Sequence, residues 1–223
     1  SGFPAIIAGL FLSLSFVAYV VAMSKTTVAN VVFIISTQTI FLALFGFLFL
    51  KEKITFKGLI AITLAFAGML VMVGDSINQG TLFGNIVAFA IPINFTILVM
   101  IIRKFPDLDM VPAIFYSGIF SGIYGLLLAS NLTFSLNDIL MGFLLGVPQL
   151  AFGFICVTIG TKTTKAVTVG LLMLLETIFA PIWVWIFLNE VPPISVFMGG
   201  AIIISAVILK SFDKSPKISD KNN

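Results

Sequence analysis

Eight apolar runs, each long enough to cross a lipid bilayer as a helix, occupy nearly the whole of this chain. They read 3–23, 28–50, 58–74, 83–103, 111–130, 138–159, 166–188 and 194–210. A hydrocarbon core about 30 Å thick needs roughly 17–25 helical residues, because only a structure that satisfies its own backbone polar groups survives where water is absent. Barrel strands would be about 10 residues long and would alternate apolar with polar side chains, and these runs do not. The runs therefore predict an all-α membrane protein with eight transmembrane helices. The first run lacks a preceding basic segment and a small-residue cleavage pattern, so it reads as a span and not as a cleaved leader.

Composition agrees and narrows the chemistry. Of 223 residues, 60% are hydrophobic and 9% charged, where a soluble domain carries about 25% charged residues. With no histidine, the chain has no Ser-His-Asp triad, no imidazole metal ligand and no imidazole proton shuttle. Its single cysteine, Cys156, makes neither an internal disulfide nor a Cys-Cys metal site, so no metal and no cofactor is expected. No Gly-Lys dipeptide occurs, which excludes a G-x-x-x-x-G-K-[ST] phosphate loop and any ATP motor within the chain. Transport driven by this chain would be secondary or passive. The net charge of +3 comes from lysines and arginines scattered through short connectors, a pattern unlike a nucleic-acid patch.

Those basic residues report topology, since cytoplasmic loops hold Lys and Arg in excess. Taking alternate connectors, Lys51, Lys53, Lys57, Arg103, Lys104, Lys162, Lys165, Lys210, Lys214, Lys217 and Lys221 fall on one side, and Lys25 alone on the other. The expectation is an integral protein of a bacterial-type inner (plasma) membrane with both termini cytoplasmic. The polar tail 211–223 reads as disordered.

The chain also repeats itself at one fixed offset, the spacing that carries Leu12 onto Leu150. The same shift aligns Phe16 with Phe154, Thr26 with Thr164 and Val31 with Val169, and the match runs without a gap to Phe49/Phe187, Leu50/Leu188 and Glu52/Glu190. Apolar identities are cheap in such a composition, whereas an F-L-x-E sequence closing a long helix twice is not. Spans one to three thus resemble spans six to eight. Five crossings separate the equivalent spans, an odd number, so the two copies are expected to be inverted relative to each other, as in many secondary transporters. Completing the symmetry requires two further helices upstream of Ser1, which predicts an inverted five-plus-five, ten-helix protein lacking its first pair.

On the segment Thr27 to Thr55, ending F-L-F-L-K-E-K, and on T-I-F-A-P-I-W-V-W-I-F-L-N-E from Thr177 to Glu190, the sequence resembles the EamA-type branch of the drug/metabolite transporter superfamily. The resemblance covers essentially the whole chain, although only those two helix ends are specific. The first copy departs from the pattern, with Ala43 where the second has Pro181. The resemblance implies a first, incomplete EamA repeat over 1–75 and a second over 82–210. It also implies export or uptake of small metabolites through a central cavity lined by spans one, two, six and seven.

Candidate site residues come from polar groups at membrane depth. Eight of nine carboxylates fall at connectors, helix ends or the tail; Glu176 lies in the middle of the run 166–188. An ionised carboxylate there costs on the order of 3 kcal/mol on insertion scales, so something must offset it. A proton, a water-filled cavity or a substrate ammonium would do so; a permanently protonated Glu bonded to a neighbouring helix is the plainer alternative. The repeat partner of Glu176 is Gln38, polar but not titratable. Tyr19, Asn94 and Gln149 are further candidates, the last two close to Pro92 and Pro148, with ordinary interhelical hydrogen bonds as their plainer role. Trp183 could stack on a substrate or belong to an interfacial aromatic belt. Pro181 lacks its own backbone donor and so frees the carbonyl of Thr177, beside Glu176, and is a candidate gate or kink. Gly118-x-x-x-Gly122 and Gly142-x-x-x-Gly146 offer smooth faces for close helix packing, and Glu52 and Glu190 read as helix caps at the interface.

The leading reading is a secondary carrier, with protons or without, for amino acids or aromatic or cationic amphipathic compounds, working by alternating access. No Lys or Arg lies mid-span to hold a phosphorylated substrate. The expected partners are a small-molecule substrate, protons and the lipid bilayer, with the chain a monomer or homodimer. The alternatives are an intramembrane enzyme, disfavoured by the single deep carboxylate and the missing base, or an inactive fragment of a carrier.

Overall fold

The computed structural model describes residues 2–73, 82–129, 133, 135–189 and 191–212. The connector at 74–81, Glu190 and the tail from 213 onward, on which some of the expectations above fall, lie outside the described residues. Every regular element among the described residues is helical: α1 Phe3–Lys25, α2 Val28–Ser36, α3 Gln38–Leu50, α4 Phe56–Val73, α5 Leu82–Lys104, α6 Pro112–Leu128, α7 Leu136–Leu144, α8 Phe152–Thr161, α9 Ala166–Met173, α10 Leu175–Leu188 and α11 Ile194–Ser211. Six continuous rods are long and apolar enough to cross a membrane, and the apolar helices 56–72 and 112–128 are somewhat shorter. The protein is an all-α integral membrane protein whose eight rods fall on the eight runs.

Three rods are not regular throughout. The second breaks at Thr37 into α2 and α3, and the seventh at Leu174 into α9 and α10. At the first break the hydroxyls of Ser36 and Thr37 donate to the carbonyls of Phe33 and Ile34, both at 2.6 Å, competing with the backbone ladder. At the second, Thr177 donates its hydroxyl to the Leu174 carbonyl at 2.7 Å. The sixth rod widens to a π-helical segment over Leu145–Ala151, around Pro148, whose ring lacks a donor and crowds the preceding turn.

Element boundaries repeat at the offset seen in the sequence. Val28 and Ala166 open α2 and α9, and Phe56 and Ile194 open α4 and α11; each pair is related by the same shift as Leu12 and Leu150. The two non-glycine residues with left-handed backbone, Lys51 (φ 54°) and Asn189 (φ 57°), are related by that shift too and cap α3 and α10. At the first, Glu52 N–H bonds back to the Gly46 carbonyl at 3.0 Å, a reversal that closes the helix end.

Packing is closest where glycines let backbones meet. A Cβ on Gly68 of α4 would stand 2.8 Å from the Gly199 carbonyl of α11, and one on Gly9 of α1 would stand 2.6 Å from the Ala113 carbonyl of α6. These contacts join α4 to α11 and α1 to α6, while α1 also lies along α5. The packing glycines expected from the sequence were others: at Gly118, Gly122, Gly142 and Gly146 an added Cβ meets nothing within 4 Å. The x-x-x spacing marks a smooth face, and among the described residues those faces carry no partner helix. The sixth rod is the least covered, with none of its most apolar window buried; Phe154 anchors it, edge-on to Phe16 at 5.2 Å.

Candidate functional site

The helix breaks decide where the candidate residues stand. Gln38 is the first residue of α3, immediately after Thr37, and is 6% exposed. Glu176 lies in the first turn of α10, just past the break at Leu174, and is exposed. Glu176 therefore lies in the middle of the seventh rod, where the apolar run placed it, with the backbone still right-handed helical at the interruption (Leu174 φ −66°, ψ −18°). The Thr177 N–H bonds to the Leu174 carbonyl at 3.2 Å across the interruption, so the rod carries on through it. Tyr19 of α1, 42% exposed, lies within electrostatic reach of the Glu176 carboxyl. Beside Gln38, the buried hydroxyl oxygen of Thr39 has no hydrogen-bond partner among the described residues, an arrangement native proteins rarely leave without water or ligand.

The other candidates are Asn94, Gln149, Trp183 and Pro181. Asn94 is half-buried on α5 beside the buried Pro92, and Gln149 is exposed on the π-helical segment. Trp183 is 55% exposed and stacks on Phe187, 5.8 Å between ring centroids, so its ring is already engaged along its own helix. Pro181 lies inside α10, which continues through it; the interruption of this rod falls at Leu174 instead. A cleft of about 200 Å³ between α10 and α11 is lined by Ile178, Ile182, Val196, Phe197 and Ile204, and it contains none of the candidate residues. Its surface suits an acyl chain and not a polar solute.

Two polar knots tie the ends of the rods, and the sequence reading missed both as units. At one end, Thr26 donates its hydroxyl to Asn85 Oδ1 at 2.7 Å, and Asn30 Nδ2 donates to Thr26 Oγ1 at 3.1 Å and to Asn85 Oδ1 at 3.3 Å. At the other, Arg103 pairs with Glu52 and donates to the Thr164 carbonyl, while Glu52 Oε2 accepts the Ala166 N–H at 3.0 Å. Glu52 is therefore a cap, as expected, but for the N-terminus of α9 and not for its own helix. The Arg103 and Glu52 side chains are 6% and 9% exposed. The available signal was the charge map, which placed Glu52, Arg103 and Lys165 at connectors on the same side of the membrane.

A bundle of apolar rods, two of them interrupted at nearly equivalent points of the repeat with polar groups beside the interruptions, defines a polytopic membrane protein. The chain belongs to the EamA-like transporter family, which it matches over residues 3–74 and 80–212. It is 28% identical over 209 residues to an uncharacterized transporter of Methanothermobacter thermautotrophicus, covering 86% of this chain and 59% of that protein. It is 26% identical to an uncharacterized transporter of Synechocystis, covering 90% of this chain and 62% of the relative. A third uncharacterized transporter, from Clostridium kluyveri, is 24% identical, with 94% and 70% covered. The chain thus spans about three-fifths of the length of the first two relatives. A solved crystal structure shares the fold with a TM-score of 0.81 at 16% identity, covering 94% of this chain and 76% of the other.

Proposed function

We propose that the chain is the larger part of a secondary carrier for small amphipathic metabolites, such as amino acids or aromatic or cationic compounds, with its solute site at the paired helix breaks. The observation that carries this reading is the placement of the repeat partners Gln38 and Glu176, each in the first turn after the break in its rod. Irregular helix turns at membrane depth are tolerated where they line a cavity and not lipid. In this reading residues 1–75 and 82–210 are the two inverted copies, the lysine-rich end is cytoplasmic, and the carrier is a monomer or homodimer.

Glu176 takes the chemistry in this scheme. Its carboxylate would receive a substrate ammonium or a proton, with Tyr19 within electrostatic reach. Gln38 contributes a neutral amide, so the site has one anionic end and one neutral end, which suits a solute with a single cationic group. Asn94, Gln149 and Trp183 are assigned no contact with the solute here. The test is uptake by proteoliposomes containing the full-length protein, challenged with amino acids, aromatic amines and sugar phosphates. The reading expects flux of the first two classes; flux of sugar phosphates alone would contradict it.

A further inference from the structure

The repeat turns one helix crossing into a comparison. From the break to the lysine-rich end, α3 lies along α9: a Cβ on Gly170 would stand 2.9 Å from Thr39 Cα and 3.1 Å from Leu42 Cδ1, and one on Gly46 would stand 3.1 Å from Ala166 Cβ. In the repeat α3 corresponds to α10, and α9 to α2. Among the described residues, α10 packs chiefly on α9 and α11 and does not run along α2 in this way. One seam is closed and its repeat counterpart is not.

The closed seam ends at the Glu52–Arg103 knot. Its groups come from three rods: Glu52 just after α3, Arg103 in the last turn of α5, and the Thr164 carbonyl and Ala166 N–H at the start of α9. Two charges this deeply covered are tolerated when paired and tolerated when hydrated. The intermediate, with one charge still buried and its partner gone, is not. Such a pair separates all at once, which is the behaviour of a two-state element and not of a graded one.

We infer that Glu52 and Arg103 form a latch that holds α3 against α9 and closes the solute pathway on the lysine-rich side. Parting of the pair releases the N-terminus of α9 and opens that side. The latch rests on the carrier reading above, because a gate has meaning only where there is a pathway.

The test uses the full-length protein in oriented vesicles, with Cys156→Ser removing the native thiol and Gln38→Cys placing a reporter at the break. A membrane-impermeant methanethiosulfonate reagent is added from either side. With the latch intact, labelling from the lysine-rich side is expected to be at least tenfold slower than from the opposite side. Glu52→Gln and Arg103→Gln should each raise the lysine-rich-side rate tenfold or more, while Arg103→Lys, which keeps the charge, should raise it less than threefold. Glu52→Asp keeps the charge but shortens the reach to Ala166, and carries the test with an intermediate rise if the neutral variants aggregate. Folded variants labelled at the unaltered rate from the lysine-rich side, with fast labelling from the other, would overturn the latch and leave the pathway standing. A reporter unreachable from both sides in every background would overturn the carrier reading itself.

Discussion

Lys51 and Asn189 adopt the same left-handed backbone at equivalent places in the two repeats, and each caps the second half of a rod that is broken at its middle. This conformation costs a non-glycine residue about 1–2 kcal/mol, so its recurrence in two copies reflects a shared local structure. The repeat is consequently a repeat of backbone design, from the break to the cap, and not only of hydrophobic runs.

The buried knot gives the sharpest stability prediction. Arg103→Ala leaves the Glu52 carboxylate covered and without its cation, and should destabilise the folded protein by about 3–5 kcal/mol. Replacing both members, as in Glu52→Gln with Arg103→Met, should cost less than the sum of the single changes, because no lone charge remains. Thermal unfolding in detergent across the four proteins measures the coupling. Additive effects would show that the pair does not interact.

The glycines offer a contrast within one residue type. Gly68→Leu drives a side chain into the Gly199 carbonyl and Ile203 and should destabilise by about 1–3 kcal/mol. Gly122→Ala meets nothing within 4 Å and should be neutral or stabilise by about 0.5–1 kcal/mol through helix propensity. Melting temperatures of the two variants of this chain should therefore move in opposite directions or differ by several degrees.

At the opposite end, Asn85→Ala removes the acceptor shared by Thr26 and Asn30. Interhelical hydrogen bonds in membranes average about 0.6 kcal/mol with a maximum near 1.7, so a loss of roughly 1 kcal/mol is expected, well below that of Arg103→Ala. Comparable losses at both ends would contradict the ranking of a charged, buried knot above a neutral one.

Much of the fold was legible because lipid imposes a simple code: unbroken apolar runs became rods, and the offset between the two copies predicted matching helix boundaries. The breaks at Thr37 and Leu174 were not legible, since a one-residue interruption changes neither hydropathy nor length. Ser36 and Thr37 hint at the first through back-bonding hydroxyls; Leu174 and Leu175, at the equivalent places, carry no such signal. Pro181 sits inside α10, which continues through it, because a proline within a membrane helix removes one donor without stopping the helix. Glu176 and Gln38 were legible as a repeat-related pair of polar positions. Their place one or two residues past an interruption of the rod was not. The Glu52–Arg103 knot joins residues far apart in sequence, and no local pattern encodes such a pairing.

The central claim is that Glu176 carries the charge chemistry of the site, and substitution tests it with little cost to the fold because the side chain is exposed in a first helical turn. The decisive measurement compares the full-length protein with Glu176→Gln in proteoliposomes holding a pH-sensitive dye, driven by gradients of amino acids and aromatic amines. The account predicts that the Gln variant, folded normally, loses substrate-driven proton movement or uptake of the cationic solutes by at least tenfold. Equal flux and equal proton movement in the two proteins would contradict it and return the site to Gln38, Asn94 and Gln149.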